Sequence, residues 1–163
     1  MQAKLLHEAN GQRTYAVILA SGDEVMTSLK DFVGREKITA AQISAIGALS
    51  DVVLQYFDWE KKDYMKISVR EQVEVASLLG DVAEMDGKPA LHLHVVVGKR
   101  DGQAMAGHLG AAHVRPTLEI IITENPAHLR KRYDPASKLA LIRMDARSKH
   151  VPIKCLHFVK ERL

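Results

Sequence analysis

The 163-residue chain has one cysteine, Cys155, so no disulfide can form within it. That excludes the stapled folds of small secreted proteins and fits a reducing compartment, the cytoplasm. Long apolar runs are also missing: none approaches the roughly 20 residues that a membrane helix needs. The first residues, Met1 to Gln12, include Lys4, Glu8, Asn10 and Gly11 and lack the apolar centre of a signal peptide. No membrane partner is therefore expected. The sequence has no P-loop, no dinucleotide glycine fingerprint, no GxSxG elbow and no CxxC pair, which removes the commonest nucleotide, serine-hydrolase and dithiol chemistries. Aromatics are few, with four Tyr, three Phe and one Trp, and they do not cluster with basic residues. Recognition of single strands by base stacking is unsupported for that reason.

What is present is an ordinary globular composition, 47% hydrophobic and 26% charged, long enough for one domain over 1–163 with a real core. Charge is unevenly placed. Residues 1–125 carry 13 Lys/Arg against 17 Asp/Glu, a balance of −4, whereas 126–163 carry 10 against 3, a balance of +7. The expected division is a core of about 13–125 and a basic C-terminal extension of 126–163. A basic tail suits nucleic acid, an acidic partner or a neighbouring subunit, and it equally suits a plain solvated surface.

Periodicity places the elements. Arg13 to Ala20 is β-branched and aromatic and predicts a strand. Ser21 followed by Glu24 has the spacing of a capping box, and Val25, Met26, Leu29, Phe32 and Val33 then recur at helical spacing up to a stop near Gly34. This is the one strong helix of the body. Short strands are predicted over 41–46, 51–57, 64–69, 72–79, 90–97, 103–109 and 117–123, with 58–63 as a hairpin loop, a turn at Asp86-Gly87 and a two-residue turn at Asp101-Gly102. Many strands around one helix define an α+β fold on a largely antiparallel sheet. Beyond Asn125 the pattern weakens: 126–133 reads as a short helix or a loop, 139–142 as a short strand, and 151–159 has some β character.

The segment richest in chemistry is His92-Leu93-His94, a hairpin away from His108. Residues two apart on a strand share a face, so His92 and His94 project together, and the 101–102 turn brings His108 back towards them. Three neutral imidazoles with a position left open suit zinc or another divalent metal. The alternative is a pair of half-buried, hydrogen-bonded histidines with no metal. Glu74 is a candidate fourth ligand or general base, or else only the solvent-facing member of an alternating strand. His113 is an outside candidate. His7, His128, His150 and His157 are scattered, and Cys155, between Lys154 and Leu156, reads as a small apolar side chain.

The stretch Ala90 to Leu109, ALHLHVVVGKRDGQAMAGHL, resembles the HLHxxxxxxxDGxxxGGHL signature of PPC (DUF296) domains. The RTYAVILASGDEV, AIGALSDVVLQYF and VEVASLLGD segments follow in the family's order, so the resemblance spans roughly 13–125. Two positions depart from it, with Ala106-Gly107 for a glycine pair and Gly80-Asp81 where Gly-Asn is frequent. The resemblance implies a stand-alone domain, commonly a homotrimer, with His92, His94 and His108 clustered. It implies little about activity. Plant members bind DNA through AT-hooks that enter the minor groove. This chain has none, and its basic run Arg130-Lys131-Arg132 lacks the hook's glycine and proline, so nucleic acid binding would rest on phosphate contacts from the basic segment 126–163, with those three residues as its named candidates.

Overall fold

The computed structural model describes residues 1–125 and 129–144. Strands β1 (Gln2–Ala9) and β2 (Gln12–Ala20) precede the helix α1 (Val25–Arg35), and β3 (Ala40–Asp58), β4 (Asp63–Val69), β5 (Val73–Met85), β6 (Lys88–Gly98), β7 (Ala104–Glu124), β8 (Arg130–Asp134) and β9 (Leu139–Arg143) follow. Among the described residues all pairings are antiparallel except the short parallel contact of β8 with β5. The expected α+β architecture, a mostly antiparallel sheet with one helix among the described residues, is the one found. β7 pairs β3, β3 pairs β5, and β6 pairs both β5 and β7, so these four strands close on themselves.

Closure explains the core. Ile43, Leu49, Val52 and Leu54 of β3, Leu78 of β5, Leu93, Val95 and Val97 of β6, and Leu118, Ile120 and Ile122 of β7 are buried together. Alternation puts the residues between them on the outer face. In β5 a bulge between Val75 and Ser77 shifts the register, which lets both Val75 and Leu78 point inward three residues apart. The helix buries Val25, Leu29, Phe32 and Val33, as its spacing predicts, and Phe32 meets Tyr15 edge to face at 5.3 Å.

Several expectations change in detail. The helix cap is Glu24 itself, not a Ser21–Glu24 box: its carboxylate accepts from the amides of Met26 and Thr27, and also from Ala112 on β7. Ser21 bonds the Pro116 carbonyl instead. The helix runs past Gly34 and ends with Lys37 in the left-handed region, where Ile38 N–H reaches Val33 O and Lys37 N–H reaches Gly34 O. The pairs 41–46/51–57 and 103–109/117–123 are each parts of one long strand, β3 and β7, whose register shifts near Gly47 looked like strand ends in the sequence. At the Asp101-Gly102 turn only Gly102 has positive φ (83°), and Lys99 pairs with Gln103 across a three-residue loop. Residues 130–134 form a strand, not a helix or loop. β1 is an additional strand, joined to β2 through Asn10-Gly11, both at positive φ (52° and 75°). The 151–159 segment, Cys155, His128, His150 and His157 lie outside the described residues.

Candidate metal centre

The HxH alternation on β6 sends Leu93 and Val95 inward and His92 and His94 to the outer face. Register does the rest: His94 is directly opposite His108 across the β6–β7 ladder, and His92 is opposite Asp81 on β5. Gly80 allows β6 to come this close. A Cβ there would collide with the His92 carbonyl and the Leu93 side chain.

The three imidazoles form one cluster. One ring nitrogen from each lies within 4.8 Å of the others, and the Nε2 atoms of His92 and His94 are 3.2 Å apart. Two nitrogens bound to one tetrahedral zinc at about 2.0–2.1 Å are roughly 3.3–3.4 Å apart, so that edge already has metal dimensions. Protonation points the same way. Burial first, then the neighbouring His94 and His92, pushes His108 down to about 4, and burial followed by His92 lowers His94. Both rings are therefore neutral near pH 7 and can offer a lone pair. Donor type, spacing and protonation state all fit a divalent ion.

Three other side chains hold the cluster. The Tyr64 hydroxyl on β4 lies 3.0 Å from His108 Nε2, with its ring set edge-on to the imidazole. Asp81 Oδ2 is 3.5 Å from His92 Nδ1, a long contact that favours a proton on Nδ1 and leaves Nε2 free. Asp81 Oδ1 is buried and makes no directed hydrogen bond among the described residues, but the Lys131 ammonium stands 2.9 Å from it. Burial raises the Asp81 carboxyl, and contacts with His92 and Lys131 outweigh it, leaving the group below the usual carboxylate range.

Glu74 is not part of this arrangement. It sits opposite Gly98, four residues along β6 from His94, or about 13 Å at strand spacing, and it lines a different pocket with Glu71, Lys99 and Arg100. His113 is also apart, paired with Asp51 at 3.0 Å. The basic run divides by strand alternation: Arg130 and Arg132 are exposed, whereas Lys131 is only 8% exposed and is spent on Asp81. Lys131 is thus removed from the nucleic-acid reading. Tyr64 and Asp81 are not among the residues expected from the sequence, where only the unusual Asp81 after Gly80 gave any signal, and Lys131, expected to face nucleic acid, is placed here instead.

Together these features define an antiparallel-sheet domain carrying a three-histidine cluster on its outer face. The sequence profile of the Plants and Prokaryotes Conserved (PCC) domain matches residues 6–126. The chain belongs to that family. It is similar to a plant- and prokaryote-conserved protein from Pyrococcus horikoshii (34% identity, 81% of this chain and 92% of that one, TM-score 0.76). A metal-containing protein from Archaeoglobus fulgidus is equally similar (34%, 80% and 93%, TM-score 0.75). A Bacteroides thetaiotaomicron protein, proposed to bind DNA, shares 26% identity over 84% of this chain and 94% of its own, with a TM-score of 0.77. Comparison with curated proteins gives no match. Among the described residues no helix is long and apolar enough to cross a membrane.

Proposed function

We propose that this protein binds a divalent metal, zinc by preference, through His92, His94 and His108, and presents it to a small ligand. The observation that carries the reading is the convergence of three ring nitrogens within 4.8 Å, two of them on rings, His94 and His108, whose pKa is lowered. The likeness to a metal-containing archaeal protein supports it. A bound zinc would supply an acidified water or a polarising charge, the chemistry of metal-assisted hydrolysis or lyase reactions. Around it, Asp81 orients His92, and the Tyr64 hydroxyl stands where it can exchange a proton with a ligand oxygen. Glu74 is too distant to be the base within one subunit. The test is elemental analysis of the untagged protein beside a His92→Ala/His94→Ala variant. Near-stoichiometric metal in the parent, lost in a folded variant, is expected; no metal in either, even after zinc or manganese is added, overturns the reading.

The same proposal includes a homotrimer. Ile46, Leu79 and Ile121 are 59%, 54% and 41% exposed on adjacent strands of the outer face, an apolar group that self-association would cover. Light scattering should give three chains per particle, and Leu79→Glu should reduce that number. Constant mass in the variant counts against this face.

A second reading, association with DNA, draws on the Bacteroides relative and on Arg130 and Arg132 at the surface. It requires retention on DNA that falls steeply with salt and disappears on charge reversal at those two arginines. Retention that ignores both removes it.

A further inference from the structure

The hairpin formed by β8 and β9 lies beyond residues 6–126, the part matched by the family profile, yet it is built into the histidine site. A pocket of about 400 Å³ opens onto His92, His94 and His108. Its apolar walls come from two sources: Met85 and Leu91 from the closed sheet, and Leu139 and Leu141 from the hairpin. The hairpin is fastened there. Glu84 N–H donates to the Leu129 carbonyl at 2.7 Å, Arg130 meets Glu84 at 3.5 Å, and Lys131 reaches down to Asp81. The hairpin's own turn is closed by Asp134, which accepts from the amide and hydroxyl of Ser137 and pairs with Arg143.

We propose that this hairpin is the ligand-selecting wall of the site, and that the ligand is a small molecule with a carboxylate head and an apolar body. The inference rests on the metal reading above and extends it to the ligand. Charge decides the class. Among the described residues, Lys131 is the one cationic side chain in the pocket lining, and Asp81 already neutralises it. A polyphosphate or a nucleotide would find no second cation in that lining. A single anionic head can go to the metal, with the Tyr64 hydroxyl beside it as a donor. The rest of the ligand then lies against Met85, Leu91, Leu139 and Leu141, surfaces that reward only apolar atoms. The volume is at the small end of the roughly 300–1,000 Å³ found for ligand pockets, which suits a short chain or one ring. Lys131 has a definite part in this: it couples the position of the wall to Asp81 and, through Asp81, to His92.

The experiment uses the full-length protein loaded with cobalt(II), whose visible spectrum reports both metal binding and changes at its open position. Acetate, butanoate and hexanoate are titrated in turn. Full burial is worth about fourfold in affinity per methylene, so hexanoate is expected to bind at least tenfold tighter than acetate even with partial burial. In Leu139→Ser/Leu141→Ser that advantage should shrink to about twofold while the cobalt spectrum without carboxylate is unchanged. Lys131→Met, which removes one of the hairpin's three fastenings without touching its apolar wall, should also reduce it. Equal affinity for acetate and hexanoate in the parent, or an advantage that survives both variants, overturns the hairpin's role with the metal site intact. Failure of cobalt to bind the parent at all is the distinct result that overturns the metal reading, and the present inference with it.

Discussion

His108 and His113 stand five residues apart on β7 and behave as opposites. His108 is packed against two other imidazoles and the Tyr64 ring, with centroids 4.1 to 4.9 Å away, and these surroundings hold it neutral down to about pH 4. His113 is half exposed, bonded through Nδ1 to Asp51, and that carboxylate raises its pKa. Asp51 is itself lowered, by His113 first and then by Ser50 against a modest burial penalty. The strand supplies the same residue type at both places. What differs is whether the neighbour is another base or an acid, and this separates a lone-pair donor from a surface cation.

Removing each imidazole in turn separates the two most directly. His108→Ala should weaken zinc binding by at least a hundredfold, since it deletes one of the three proposed ligands, whereas His113→Ala should leave it within about twofold. Competition against a zinc-sensitive dye measures both. Equal losses would mean that the cluster is not the metal site. A smaller effect is expected from Gly80→Ala. Its methyl would push β6 away from β5 at the His92 carbonyl, displacing His92 from Asp81. Losses for such supporting changes are typically 10–100-fold in metal affinity, together with about 1–3 kcal/mol of stability from overpacking. Zinc affinity and the thermal midpoint of the variant check the two effects separately.

The sequence led to most of the fold because its signals are local. Val25, Leu29, Phe32 and Val33 mark a helix face in any context, and the alternation around Leu93 fixes which way His92 and His94 point. Long bent strands were harder. Gly47, where β3 comes against the Thr117 carbonyl of β7, interrupts the apolar pattern, so one strand looked like two. β1 carries no alternation because all its residues are exposed, and Asn10-Gly11 was the one available hairpin signal. The site divides in the same way. The three histidines follow from a two-residue period and one hairpin, but Tyr64, Asp81 and Lys131 arrive from β4, β5 and β8 through pairings that no spacing in the chain encodes. Glu74 lies apart from the cluster within one subunit for the converse reason: it is on the strand next to the histidines but several rungs away.

The two histidines should also give pH dependences of opposite sign, without metal. His108 titrates near 6.5 when unfolded and about 4 when folded, so between those values the unfolded chain binds more protons. Its contribution is fully present above pH 6.5 and is lost as pH falls towards about 4. His113, raised in the folded state, contributes below pH 6.5 and loses that contribution as pH rises through its folded value. Denaturant unfolding of the metal-free protein at pH 7.5, 6 and 5 should therefore show His108→Ala losing less stability on acidification than the parent. A parallel decline in the two proteins would contradict the lowered pKa.

The smallest effect belongs to Asp51→Asn. The pair it breaks is exposed on both sides, so the cost should lie within the ~0–1 kcal/mol usual for such pairs. It should appear near pH 5–6, where Asp51 is ionised and His113 is protonated, and fade as pH rises through the raised His113 pKa and that ring becomes neutral. Proton NMR of the imidazoles separates this from a general loss of structure. The His113 titration should move down towards 6.5 while that of His108 stays where it was, because Asp51 faces His113 and Ser50 and not the cluster. If both titrations move together, the two histidines share one electrostatic environment, and the independence of the histidine cluster from the rest of β7 is lost.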